Sequence, residues 1–234
     1  MRIAIIAAMK NELEMLVSKL EQPKISEVAG FCFHQGSLEG HQLILLLSGI
    51  GKVNAAVATS LLIDKYKPEV LVNIGVAGSF SKELKPGDIV ISTEVCHHDV
   101  NVTSFGYEIG QVPQMPHFYF ADSHLLSRAQ SIPSPNSNNA VKSGLTVSGD
   151  VFVQELQIAD KIKYNFPNAL AIEMEGAAIA QACYIFDTPF LNIRSISDII
   201  GGEINKANFN DFFLLAATNS INFVHRLLKS TRGG

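Results

Sequence analysis

Short apolar runs alternate along this chain with amphipathic stretches, and the pattern reads repeatedly as strand, helix, strand. Ile3 to Ala8 is uniformly apolar and predicts a buried first strand. Lys10 to Leu20 follows with Leu13, Leu16, Val17 and Leu20 at helical spacing. Phe31 to Gln35 and Gln42 to Ser48 predict strands around a turn at Leu38-Glu39-Gly40-His41. Val53 to Lys65 has the composition and period of a helix, and Glu69 to Ile74 is a β-rich run that stops at Gly75-Val76-Ala77-Gly78. Ile89 to Val95 continues the series. Cys96 to Tyr119 is aromatic and interrupted by Gly106, Gly110, Pro113 and Pro116, which predicts a loop-rich excursion of the kind that often carries function. Ser131 to Asn139, dense in Ser, Pro and Asn, predicts a surface turn region, because strand-like residues resume at Val141 to Val147. The last third predicts an apolar run at Leu170, a helix from Gly176 to Phe186, a strand from Pro189 to Ser197 and a closing helix from about Asp211 to Leu228.

This alternation predicts one α/β domain over residues 1–234, a three-layer α/β/α sandwich whose central β-sheet is mixed because of the hairpin-like Phe31 to Ser48 segment. A hydrophobic share of 47% over 234 residues supplies a substantial core. The formal net charge of −4 gives no basic surface for nucleic acid or an anionic membrane, which leaves a small molecule as the natural partner. No run approaches the length of a membrane span. Cys32, Cys96 and Cys183 are scattered and form no Cys-x-x-Cys pair, so neither a disulfide framework nor a zinc site is expected and the cytoplasm fits best. The opening Met1 to Met9 is short for a signal peptide, and Lys10, Glu12 and Glu14 follow at once.

Candidate chemistry lies where three acids fall. Glu12, Glu175 and Asp198 each sit just beyond an apolar run, and in an α/β sheet the strand ends border the ligand crevice. Each has a plainer account. Glu12, and at least one of Glu173 and Glu175, would also complement a helix start. Asp198 and Arg194 would also form a structural ion pair, since a buried charge without a partner is costly. By simple alternation Ser195 and Ser197 fall on the face opposite Arg194 and Asp198. Ser48-Gly49-Ile50-Gly51-Lys52-Val53 lacks the earlier glycine and the following Ser/Thr of a phosphate loop, and Asn54 stands where a dinucleotide fingerprint needs its third glycine, so it reads as a tight turn into a helix. His97-His98-Asp99 has no second cluster to complete a metal site and reads as a polar loop. No Gly-x-Ser-x-Gly elbow is present.

Five segments, in order and spacing across nearly the whole chain, carry a resemblance: Ile6-Ala7-Ala8-Met9-Lys10-Asn11-Glu12, Ser48 to Val53, Ser148-Gly149-Asp150-Val151-Phe152, Ala171-Ile172-Glu173-Met174-Glu175-Gly176 and Arg194-Ser195-Ile196-Ser197-Asp198. Together they closely resemble the 5′-methylthioadenosine/S-adenosylhomocysteine nucleosidases of the nucleoside phosphorylase/hydrolase superfamily. The resemblance implies hydrolysis of the adenine–ribose bond in these two thionucleosides without a cofactor, with 5′-deoxyadenosine or aminodeoxyfutalosine as possible further substrates. It implies Asp198 as the general acid at adenine N7 and Glu12 as the base for the attacking water, with Arg194 as a further water contact. Glu175 and the Met174 backbone would hold the ribose hydroxyls. Phe152 would stack on adenine, the Val153 backbone would read its edge, and Ser197 and Val76 would belong to the substrate-binding set. Met9, Ile50 and Phe209 look like the pocket's own thioether wall, while Val102, Phe105 and Pro113 resemble residues reaching in from a neighbouring subunit of a homodimer.

Two departures stand out. Many relatives carry Ser at the position of Val76, and the stretch Ile199 to Asn208 differs from the usual acidic or polar loop. Two rivals remain. A phosphorylase of the same fold would attack with phosphate, which needs cationic or backbone anion sites; this chain has five arginines and places Glu12 where such an enzyme would benefit from one. A non-catalytic nucleoside-binding module would need no water-activating base.

Overall fold

A computed structural model describes residues 1–201 and 206–231, with side chains over the second stretch from Asp211 onward. The chain runs β1 (Arg2–Ala7), a 3-10 turn (Lys10–Glu12), α1 (Glu14–Val17), β2 (Glu21–Val28), β3 (Phe31–Leu38), β4 (His41–Leu47) and α2 (Lys52–Tyr66). Then come β5 (Val70–Ser79), β6 (Ile89–His97), β7 (Tyr119–Phe120), α3 (Ser123–Gln130) and β8 (Val141–Ser148). The last elements are α4 (Leu156–Asn165), β9 (Ala169–Glu173), α5 (Gly176–Ile185), β10 (Phe190–Ile199) and α6 (Lys206–Ser230).

The sheet is mixed. Its order is β10-β6-β8-β9-β5-β1-β4-β3-β2, and β10 also pairs with β5, so five strands close on themselves while β1, β4, β3 and β2 extend outward. β1 is parallel to both β4 and β5, and β5 is parallel to β10, so the carboxyl ends of these four strands point the same way.

Helices pack on both faces of β1. Along β1, Ile3, Ile5 and Ala7 pack with Leu16 of α1 and Phe223, Val224 and Leu227 of α6, whereas Ala4 and Ile6 pack with Leu62 of α2 and Ile179 of α5. A strand buried on both faces must be apolar throughout, which is why β1 shows no alternation. Each of the larger of these side chains, the Ile, Leu, Val and Phe, contributes about 1.5–3 kcal/mol by leaving water.

Several boundaries differ from the sequence pattern. The expected helix from Lys10 to Leu20 is a 3-10 turn followed by only four α-helical residues. Leu13, Leu16 and Leu20 are still buried, but the tight turn aims Glu12 inward, where its carboxylate binds backbone N–H groups. β5 does not stop at Gly75 but continues to Ser79, because Gly75 through Ser79 pair with Arg194 through Ile199 of β10. The pattern misses β2, whose exposed residues include Pro23 and Lys24, and also α3 and α4.

Candidate active site

The converging ends of β1, β5, β9 and β10 enclose a cavity of about 280 Å³, where an α/β sheet places its ligand. Glu12, Glu175 and Asp198 all line it, although 163 residues separate the first from the second. Met9, Ile50, Val76, Phe152, Val153, Met174, Arg194 and Ser197 line it too.

The 3-10 turn after β1 sets Glu12. Its Oε2 accepts the N–H groups of Met9 (2.8 Å) and Ala8 (3.2 Å), and its Oε1 accepts the N–H of Val76 at 3.1 Å. Burial raises its pKa above the ordinary carboxylate value, against the downward pull of Arg194 and these N–H groups. The Val76 contact uses backbone only, so a Ser-to-Val change leaves it intact.

Arg194 occupies the middle of β10 and is 2% exposed. Its Nη2 donates to Glu173 Oε2 at 2.5 Å and its Nη1 donates to Asn73 Oδ1 at 3.2 Å. The ion pair of Arg194 is therefore with Glu173, and not with Asp198. Glu173 also accepts the N–H groups of Glu175 and Gly176 at the start of α5, which is the helix-start role open to it from sequence. Burial alone would raise the Glu173 carboxyl, but Arg194 beside it and the hydrogen bonds of Ser148, Arg194 and Gly176 hold it below the usual carboxylate range.

Glu175 stands at the N-cap of α5, and its Oε1 accepts the N–H of Gly51 at 2.9 Å. Burial, followed by the negative charge of Glu173, pushes it up to about 7. The segment Ser48 to Val53 is a tight turn into α2, with Gly49 and Gly51 at φ +79° and +95°. Gly51 N–H is taken by Glu175 and Lys52 N–H by Asp150 Oδ1 at 2.7 Å, so these N–H groups at the helix start already face the protein's own carboxylates.

Asp198 gains its place through an irregularity. Between Ile196 and Asp198 the pairing of β10 with β5 slips by a residue, and this bulge turns both Ser197 and Asp198 to the cavity, against the strict alternation expected from sequence. Burial raises the Asp198 carboxyl, opposed by Ser197 Oγ, which lies 2.6 Å from Oδ1.

Three comparisons bear on this geometry. A model of the phosphorylase superfamily matches residues 2–229. A 5′-methylthioadenosine/S-adenosylhomocysteine nucleosidase of Bacillus cytotoxicus is 47% identical over 232 residues, covering 99% of this chain and all of the relative. The chain belongs to this nucleosidase family. Among solved structures of the family, that from Colwellia psychrerythraea, in complex with adenine, superposes with a TM-score of 0.94 at 44% identity and covers 98% of this chain and 95% of its own. The Neisseria meningitidis nucleosidase, in complex with methylthio-immucillin-A, gives 0.92 at 43% identity, covering 98% and 99%.

Not every family position expected from sequence falls in this cavity. Val102, Phe105 and Pro113 are outside its lining; Phe105 is 81% exposed. The Phe209 side chain and residues 202–205 of the divergent Ile199 to Asn208 stretch lie outside the described residues. Phe213, not anticipated, lines the cavity from α6. It stands one helical turn beyond Phe209, and that spacing was the available signal. Gly78, Ile172 and Ile200 also line the cavity, with no chemical signature to mark them. Away from it, Asp99 is bound to Lys52 Nζ at 2.6 Å and to Asp150 N–H at 2.9 Å, while His97 Nε2 meets Gln181 Oε1 at 2.9 Å.

Proposed function

We propose that this chain hydrolyses the N-glycosidic bond of 5′-methylthioadenosine and S-adenosylhomocysteine, releasing adenine and the corresponding thioribose. The observation that carries the reading is the charge of the cavity: four carboxyl groups line it, and among its described residues the one cation, Arg194, is already bound to Glu173. Phosphate would meet repulsion here and find no free cationic anchor, whereas a neutral water would not.

Adenine leaves poorly as an anion. Asp198, whose carboxyl burial raises above the ordinary value, is the acid that transfers a proton to N7 as the glycosidic bond breaks. Ionised Glu175 accepts the 2′- and 3′-hydroxyls, assisted by the Met174 backbone, and its negative charge favours the cationic ribosyl ring. Water held by Glu12 and Arg194 attacks carbon 1′ and gives its proton to Glu12, whose raised pKa makes it the better base. Phe152 stacks on adenine, Val153 reads its edge, and Ser197 steadies Asp198 through their hydrogen bond. Met9, Ile50, Val76 and Phe209 form the thioether wall.

The reading includes a homodimer in which Val102, Phe105 and Pro113 complete the neighbour's pocket, supported by the exposure of Phe105, which does not line its own cavity. It takes residues 1–234 as one domain, layered α/β/α. It places the enzyme in the cytoplasm; among the described residues no helix is long and apolar enough to cross a membrane.

Product analysis with methylthioadenosine, with and without phosphate, tests the reading. Adenine plus free methylthioribose at an unchanged rate is expected. Methylthioribose 1-phosphate that forms only with phosphate would instead establish a phosphorylase, and no adenine at all would favour a binding module. The same assay with 5′-deoxyadenosine and aminodeoxyfutalosine reads further substrates.

A further inference from the structure

We propose that Glu173 is a positioning residue for this reaction, a permanent anion that clamps the Arg194 guanidinium and the backbone at Glu175 so that Glu12 and Glu175 stay free for water and ribose. The inference rests on the nucleosidase reading and assigns a role to a side chain that the reaction scheme leaves idle.

The donor inventory requires the charge. Glu173 Oε1 accepts the Gly176 N–H at 3.0 Å and the Ser148 hydroxyl; Oε2 accepts the N–H of Glu175 at 3.0 Å, that of Gly176 at 2.8 Å and Arg194 Nη2 at 2.5 Å. Ser148 Oγ itself accepts the Ala177 N–H at 2.7 Å, so its one proton is committed to Glu173. Four of these five bonds come from N–H groups that can only donate, and Ser148 Oγ could accept from a protonated carboxyl only by giving up its own bond to Glu173. With its lone pairs occupied, Glu173 has little left for a substrate and acts through its neighbours.

The guanidinium explains why an anion is needed. A buried cation requires a counter-ion, and two further carboxylates lie within its reach in the cavity wall. Gly75 marks how close Glu12 comes: a Cβ built there would stand 2.8 Å from Glu12 Oε1 and 3.0 Å from Arg194 Nη1. Without Glu173, Arg194 would pair with Glu12 or Glu175 and occupy the oxygens that the reaction uses. The charged or titratable groups around this anion are Arg194 on β10, Glu175 at the start of α5, Glu12 on the 3-10 turn, and His97 and His98 at the end of β6.

The pH profile of adenine release separates this role from a merely structural one. In E173Q, kcat for methylthioadenosine should fall by about 30-fold or more with KM changing less than about threefold. The acid limb of kcat/KM should move to lower pH by about half a unit or more, since Glu12 and Glu175 gain Arg194 and Glu175 loses a like charge. E173D keeps the charge on a shorter arm and should hold the acid limb at its wild-type place while losing about fivefold or more in kcat. Wild-type kcat or an unmoved acid limb in E173Q overturns the proposal; if E173Q does not fold, wild-type kcat in E173D does so. A wild-type enzyme that releases no adenine at any pH defeats the nucleosidase reading instead.

Discussion

Glu175 Oε1 accepts the Gly51 N–H at 2.9 Å, so the first turn of α5 is tied to the first turn of α2 beside the cavity. The bond favours the ionised carboxylate, yet burial and Glu173 push the group up to about 7. Since the ionised form must receive the ribose hydroxyls, kcat/KM should rise with pH through about 7 and level off above it. An acid limb lying wholly below pH 5 would show that Glu175 is not the group being read.

The same perturbation should be visible without substrate. A carboxyl with a higher pKa folded than unfolded holds more protons in the native state, so stability falls as pH rises from about 4.5 to about 7. E175Q removes this cost while its carbonyl still accepts the Gly51 N–H. Chemical denaturation should find E175Q more stable than wild type by about 1–3 kcal/mol at pH 8 and equal to it near pH 4. Equal stability at both pH values would contradict the raised pKa.

Asp198 should be required for turnover and dispensable for binding. D198N keeps an acceptor for Ser197 Oγ but has no acidic proton for adenine N7. Adenine release should fall by about 10³-fold while calorimetry finds nucleoside affinity within about tenfold of wild type. Retained turnover in D198N would transfer the acid role to another group.

Gly75 tests the spacing of base and guanidinium. In G75A the new methyl would crowd Glu12 Oε1 at 2.8 Å and Arg194 Nη1 at 3.0 Å, distances that force a shift. We expect kcat to drop about 10-fold or more with KM changed much less, because the base that orients the attacking water must give way to the new methyl. A variant with wild-type kcat would mean that water is activated elsewhere.

Much of this architecture could be read from residues. The apolar runs at β1, β4, β6 and β10 and the helical period of α2 and α5 appear close to their predicted bounds, because buried elements leave strong periodic signals. Three strand-end acids were legible for the same reason. What stayed hidden depends on tertiary pairing: β5 reaches Ser79 only because β10 lies beside it, and Ser197 joins Asp198 in the cavity only because of the bulge. Glu173 was visible as a helix-start acid, but its bond to Arg194 links β9 to β10 across 21 residues and has no local signature. Phe213 illustrates a readable signal passed over, one turn beyond an aromatic already singled out.

The closed run of strands β10-β6-β8-β9-β5 also governs when the site can exist. β5 ends at Ser79 and its partner β10 begins at Phe190, so the contact that completes the ring joins segments more than a hundred residues apart. A chain emerging during synthesis presents Glu12 early, yet holds neither Arg194 nor Asp198 beside it until β10 has been made and docked. Pairing at such sequence separation forms slowly, so catalytic competence should arrive as one of the last events of folding rather than growing in step with chain length.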